Sequence, residues 1–125
     1  MITIKFIETL RKEANGIKYT RDTFEVGYYT IYENTTVFAN GSIYRSLDLF
    51  PVKDRAKAVG FEGWEYLPEI YFNRGLFSSK NPAKEKFDIQ TTSYGSLEIP
   101  EFKKFMAAMN HALEVAQAVT DKYVK

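Results

Sequence analysis

Between Pro100 and Tyr123, apolar residues recur at alternating spacings of three and four, which is the period of an amphipathic α-helix. Two rows follow this period: the first contains Phe102, Met106, Met109, Leu113 and Ala116, and the second contains Phe105, Ala108, Ala112, Val115 and Val119. A helix of about 24 residues would be about 36 Å long, which exceeds what a small sheet requires. We therefore expect the first four residues of the first row to face a sheet, and we expect a homodimer whose interface is formed by Phe105, Ala112 and Val119.

Much of the N-terminal half has the pattern of short strands joined by tight turns. Residues 2–12 alternate between apolar and polar side chains, although a break at residues 7 and 8 leaves a helix from about residue 5 open. Asn15–Gly16 is a strong hairpin signal, because both residues tolerate a positive φ. We expect a bulge at Gly27 and a tight turn at Glu33–Asn34. Strands with short connections predict an antiparallel meander.

The remaining segments complete an α+β pattern. We expect a short helix over about 51–59, a strand over 64–72, a long loop over 73–86 and a strand over 87–94. The expected fold is an antiparallel meander sheet of five or six strands packed against the long C-terminal helix. Residues 1–125 are expected to form a single domain.

Missing residue types and motifs limit the chemistry of this chain. There is no Cys, which excludes disulfides, thiolate metal sites and a thiol nucleophile. No phosphate-binding glycine motif and no serine nucleophile motif occurs. The one histidine, His111, lies nearly opposite Met109 on the predicted helix, so we expect it to be solvated. The sequence therefore predicts a non-enzymatic protein without a cofactor or a metal.

Charge and aromatic content set further limits. The chain has 17 basic and 16 acidic residues, and a net charge of +1 argues against a protein that wraps DNA or mimics it. Ten Phe, nine Tyr and one Trp are too many for a disordered chain. No apolar run approaches the roughly 18 residues of a membrane span, and Lys5 and Glu8 interrupt the N-terminal apolar stretch. We therefore expect a cytoplasmic protein that is not inserted in a membrane.

Two patches are candidate binding sites. Acidic side chains surround Trp64 and Tyr66, which suits a carboxylate pair for acid–base chemistry, a contact with a basic partner, or only the solvated side of an edge strand. The predicted loop 73–86 is basic around one aromatic, which suits a phosphate, a single-stranded nucleic acid, an acidic protein or only a soluble loop. The expected partner-binding residues of the two patches are Trp64, Glu65, Glu69, Arg74, Phe77, Lys80 and Lys84.

The C-terminal third contains QTTSYGSL at 90–97, IPEFKKF at 99–105 and ALEV at 112–115. Over residues 90–115 the chain resembles the C-terminal part of small accessory proteins of phages and prophages of Gram-positive bacteria. Such proteins include inhibitors of host defence, anti-CRISPR proteins among them. The resemblance implies a non-enzymatic inhibitor that binds a host defence protein, namely a CRISPR effector nuclease of the Cas9 type. It assigns no functional residue.

Two other functions stay open from the residues. One is an oligomeric sponge that sequesters a nucleotide second messenger, with its base stacked on Phe77 or Tyr94 and its phosphates on Arg74 or Lys80. The other is a phage accessory protein that binds nucleic acid.

Overall fold

Six antiparallel strands form one sheet in the computed structural model, which describes residues 2–77, 86–90 and 95–123. The strands are β1 (Ile4–Ala14), β2 (Ile17–Val26), β3 (Tyr29–Val37), β4 (Ile43–Pro51), β5 (Glu69–Phe77) and β6 (Lys86–Gln90). Helix α1 (Lys53–Ala58) and a 3-10 turn (Trp64–Tyr66) lie between β4 and β5, and helix α2 (Ile99–Tyr123) follows β6. The spatial order of the strands is their order in the chain, which confirms the predicted meander and α+β class.

The observed turns confirm one of the predicted strand boundaries and contradict two others. Asn15 and Gly16 both have positive φ and close the first hairpin. Gly27 also has a positive φ, but it belongs to a two-residue turn between Val26 and Tyr29, so the predicted bulge there is wrong. The bulge is in β1 instead, at the pattern break, where the register with β2 shifts between residues 6 and 8. Strand β3 continues through Glu33–Asn34, so the turn predicted there is wrong.

Later boundaries also differ from expectation. Residue 51 ends β4, and α1 begins two residues later. The predicted strand 64–72 is divided into the 3-10 turn and the start of β5, with Pro68 between them. Residues 73–77 continue β5, so they are not loop. Of the predicted strand 87–94, residues 87–90 belong to β6, whereas residues 78–85 and 91–94 lie outside the described residues.

The core lies between one face of the sheet and α2. Its sheet residues are large: Phe24, Val26, Tyr29, Ile31, Leu47, Leu49 and Ile70. Its helix residues are mostly small: Ala108, Ala112, Val115, Ala116 and Val119. Small side chains on the helix leave space for the large side chains of the sheet. The two sets together fill the core between helix and sheet. No helix in the described chain is long and apolar enough to cross a membrane.

The predicted orientation of α2 is wrong for three of the four residues expected to face the sheet. Phe102, Met106 and Leu113 are 50%, 46% and 55% exposed, whereas Met109 is partly buried and packs against the core. Of the three residues expected between two copies, Ala112 and Val119 are 2% and 1% exposed inside the core of one chain, and Phe105 is half-buried with its ring against that of Tyr66. Ala112 and Val119 are therefore not available for a homodimer interface, because they already pack in the core against the large side chains of the sheet.

Contacts along α2 show how it crosses the sheet. Near its start, Tyr66 donates a hydrogen bond to Glu101, and the ring of Phe105 lies 6.2 Å from that of Tyr66. Near its end, Lys122 Nζ lies 4.1 Å from the ring centre of Phe24 in β2. The helix therefore runs from the 3-10 turn, at the β5 side, to β2.

Gly63 lets the 3-10 segment approach the helix backbone. A Cβ at this position would lie 2.7 Å from the Lys104 carbonyl oxygen and 2.8 Å from the Ala108 nitrogen. Both are backbone atoms, which cannot move aside as the end of a side chain can. The contact therefore requires glycine at residue 63.

A matched pair of substitutions tests the orientation of α2. Val115→Asp places a carboxylate without a partner in the core, so we expect a loss of about 4 kcal/mol or more in the free energy of unfolding. Leu113→Asp, two residues earlier on the exposed face, should change it by no more than about 0.5 kcal/mol. Urea unfolding of both variants measures the difference. Equal losses would contradict the observed orientation.

Candidate functional site: the open sheet face

The second face of the sheet is not covered by α1 or α2, which both pack on the first. Residues opposite one another in neighbouring antiparallel strands share a face, and the register places Arg21 opposite Asn34 and Tyr32 opposite Asp48. Seven side chains of β2 to β5 form what we call the open-face cluster: Tyr19, Arg21, Tyr32, Asn34, Asp48, Phe50 and Tyr71. The cluster places aromatic, basic, amide and acidic groups on one surface.

Asn34 is the centre of this cluster and is only 8% exposed. Its Oδ1 accepts hydrogen bonds from the Tyr19 hydroxyl and from Arg21 Nε, both at 2.9 Å. Its Nδ2 donates to Asp48 Oδ2 at 3.1 Å and to Ser46 Oγ at 3.3 Å. These four bonds use both acceptor positions and both donors of the amide. One side chain therefore joins β2, β3 and β4.

Arg21 and Asp48 are the charged members of the cluster. The Arg21 guanidinium lies 4.8 Å from the ring centre of Tyr32 and 5.9 Å from that of Tyr19, which is cation–π geometry. Burial raises the pKa of Asp48, against the lowering effects of its bond from Asn34 and of the Arg21 charge. The carboxylate is therefore partly dehydrated even before any partner binds.

Three aromatic members of the cluster form a row from β3 to β5. The rings of Tyr32 and Phe50 are 5.9 Å apart, and those of Phe50 and Tyr71 are 5.7 Å apart at 84°. The Tyr71 hydroxyl donates to Glu69 Oε2 at 2.9 Å, and this bond raises the pKa of Tyr71. A groove of about 470 Å³ beside the row is lined by Phe50, Pro51, Val52, Lys53, Asp54 and Glu69.

The composition of the cluster determines what it can bind. Its members supply flat apolar surface, hydroxyl groups, one guanidinium and one carboxylate, and that carboxylate already accepts a hydrogen bond from Asn34. Arg21 is balanced by Asp48, and Glu69 adds a second negative charge at the edge, so the cluster does not favour a phosphate. Within the described residues, no three His, Asp or Glu side chains lie close enough to hold a metal ion.

The three residues of the predicted acidic–aromatic patch do not form one site, because each makes contacts in a different part of the structure. Trp64 is half-buried, with Lys57 Nζ of α1 at 5.0 Å from its ring centre. Glu65 is exposed, and its backbone carbonyl accepts a hydrogen bond from Lys53 Nζ at 3.1 Å. Glu69 lies instead beside the open-face cluster, through its bond to Tyr71. Of the three, only Glu69 belongs to this candidate site.

The residues of the predicted basic loop do not all belong to a loop. Arg74 and Phe77 lie in β5, and Arg74 falls where the register between β4 and β5 shifts. Lys80 and Lys84, like Tyr94 of the nucleotide hypothesis, lie outside the described residues. Binding through these residues stays a prediction.

His111 is not solvated as predicted. It is half-buried, and its Nε2 accepts a hydrogen bond from the Tyr28 backbone N–H at 3.1 Å. The imidazole packs against the rings of Tyr28 at 4.7 Å and Phe61 at 5.6 Å. A Cβ on Gly27 would lie 2.6 Å from its Cε1, so the β2–β3 turn needs glycine there. Burial lowers the pKa of His111, which the charge of Glu114 partly offsets.

Sequence reasoning missed the open-face cluster. The sequence predicts a turn at Asn34, since Asn commonly bonds to nearby backbone, whereas in the structure it bonds to side chains of neighbouring strands. A signal was present in the alternation of β2, where Tyr19 and Arg21 share one parity and Phe24 and Val26 the other. That alternation marks a second, polar-aromatic face.

Comparison of the chain with known protein families, with curated proteins and with solved structures found no match.

Because Asn34 is at the centre of the hydrogen-bond network, replacing it should lower the stability of the protein strongly. Asn34→Ala leaves the partly dehydrated Asp48 and the Arg21 guanidinium without their shared partner, so the free energy of unfolding should fall by about 2–4 kcal/mol. Thr36→Ala, on the same face two residues later, serves as the control and should cost less than about 1 kcal/mol. Thermal unfolding compares the two. Equal effects would show that the network does not stabilise the sheet.

The lowered pKa of His111 should make the free energy of unfolding depend on pH. Its folded pKa lies below the ordinary 6.5, so the unfolded state binds more protons below that pH. This contribution to stability is complete above about pH 6.5 and is lost as the pH falls through that value toward the folded pKa. His111→Gln keeps an acceptor for the Tyr28 N–H but does not titrate. Urea unfolding between about pH 7.5 and about pH 5.5 should show a smaller loss in the variant; an unchanged loss would contradict the assignment.

Proposed function

We propose that this protein is a non-enzymatic inhibitor that binds a bacterial defence protein through the open-face cluster, and that its target is a CRISPR effector nuclease of the Cas9 type. The observation that supports binding is the continuous row of Tyr32, Phe50 and Tyr71, with Arg21 stacked on its first ring. Tyr, Phe and Arg are enriched at the centres of protein interfaces.

The chemistry of the row favours a protein partner. Its aromatic side chains offer a large contact area, and their mutual packing already restricts their rotamers, which lowers the entropy cost of binding. The hydrogen bonds of Asn34 hold Arg21 in place before any contact is made. A nucleic acid would instead bring phosphates toward Asp48 and Glu69, which repel them.

The class of target is supported by the resemblance of residues 90–115 to phage accessory proteins. An inhibitor of such a nuclease would act in the cytoplasm of the bacterial host. The proposal needs no catalytic group, no cofactor and no metal, since a protein that covers a surface that the nuclease uses to bind DNA inhibits it by exclusion.

Two Phe→Ala substitutions on opposite sides of the molecule test this proposal. The protein is added to purified Cas9-type nucleases of Gram-positive bacteria, each with its guide RNA, and both binding and DNA cleavage are measured. We expect inhibition by the parent protein, and a loss of about 1–3 kcal/mol in affinity, about 5- to 150-fold, for Phe50→Ala. Phe102→Ala, on the exposed side of α2, should bind like the parent.

The other outcomes are distinct. Loss of binding in Phe102→Ala but not in Phe50→Ala would move the interface to α2. An absence of binding to every nuclease, with capture of a different protein from a host lysate, would overturn the target class. A rise of several degrees in melting temperature with one cyclic nucleotide would support the sponge, and with a single-stranded oligonucleotide it would support nucleic-acid binding.

A further inference from the structure

Strand β1 is at one edge of the sheet and carries exposed apolar residues. It is 11 residues long, and among the described strands its ladder partner is β2. Phe6, Ile7 and Leu10 are 55%, 42% and 42% exposed. An edge strand offers backbone N–H and C=O groups that can pair with another strand, and many proteins shorten or cover such edges. Here the edge is long, and the bulge near Ile7 interrupts only its first part.

The register with β2 assigns the side chains of β1 to faces. Glu8 is opposite Thr23, Leu10 is opposite Arg21, and Lys12 is opposite Tyr19. Arg21 and Tyr19 belong to the open-face cluster, so Glu8, Leu10 and Lys12 lie on the same side of the sheet as that cluster. They therefore form a row along the outer margin of the open face.

This row is complementary to itself. When an antiparallel copy of β1 is placed so that Leu10 faces the Leu10 of the copy, each Glu8 faces a Lys12 and each Thr9 faces an Arg11. Opposite charges directly across an antiparallel pair stabilise it, as do two apolar side chains. A shift of two residues in one direction places Arg11 against Arg11 and Leu10 against Lys12. A shift in the other direction places Leu10 against Glu8.

We propose that two copies of this chain associate edge to edge through β1, in the antiparallel register centred on Leu10. The bulge at residue 7 and the hairpin at Asn15–Gly16 limit the pairing to about residues 8–13. The interface is isologous, with one two-fold axis, so it closes and leaves no second β1 edge for further addition. The sheets of both copies then form one continuous sheet with both open faces on the same side. This inference does not depend on the proposed function.

A charge exchange within the row tests the register. Glu8→Lys places Lys opposite Lys12 at two symmetric positions, and Lys12→Glu places Glu opposite Glu8. Each single variant should raise the dimer dissociation constant at least about fivefold, whereas the double variant should restore the parent value. The cross-strand neighbours within one chain, Thr23 and Tyr19, carry no charge, so the melting temperature of the monomer should change little.

Sedimentation equilibrium measures the association, with 14.5 kDa for one chain and twice that mass for the dimer. A parent protein that stays at the monomer mass up to several hundred micromolar would overturn the proposal. Single variants that dimerise like the parent would overturn the register.

Oxidative cross-linking gives a second measurement that does not rely on charge. Because the chain has no Cys, a single introduced thiol is its only cross-linking position. Leu10→Cys should form a disulfide-linked dimer, since opposite side chains at the two-fold axis are within reach of such a bond. Leu113→Cys, at an exposed position of α2, is the control and should cross-link slowly. Faster cross-linking at residue 113 than at residue 10 would show that the copies meet through α2.

Discussion

The packing of a row of small residues on α2 against large residues on the sheet determines most of this structure. Ala108, Ala112 and Ala116 share one core with the larger side chains of Tyr29, Ile31 and Leu49, so small helix residues are combined with large sheet residues. Glycine is needed where two other segments closely approach the helix. At residue 63 an added Cβ would meet helix backbone, and at residue 27 it would meet the imidazole of His111. Helix position and loop composition are thus consequences of one packing requirement.

Because α2 covers only one face, the sheet has two different surfaces. The covered face is apolar where α2 packs on it, whereas the open face holds polar groups through hydrogen bonds between strands. Asn34 makes this possible, since it joins Tyr19, Arg21 and Asp48 without leaving its own donors or acceptors unused. The result is a rigid surface with aromatic rings and one fixed guanidinium. Surfaces of that kind lose little entropy when they bind.

The fold class and the meander were predictable because their signals are local. Alternation, the Asn15–Gly16 turn and the helical period each act within a few residues. The side of α2 that faces the sheet was not predictable from hydrophobicity, since both of its rows are apolar; side-chain size decided between them. The role of Asn34 was not predictable from local signals either. Its hydrogen-bond partners are 12 to 15 residues away in sequence, whereas its local preference is for a turn.

The position of α2 after the six described strands has a consequence for synthesis on the ribosome. Each hairpin joins neighbouring segments, so the sheet can begin to pair while the chain is still growing. Its apolar face then has no cover until α2 has left the exit tunnel, and the bond between His111 and Tyr28 closes over 83 residues of sequence. During that interval the nascent sheet exposes Val26, Ile31 and Leu49 to other nascent chains. Rapid synthesis of α2, or a chaperone that shields this face, would therefore favour the native fold.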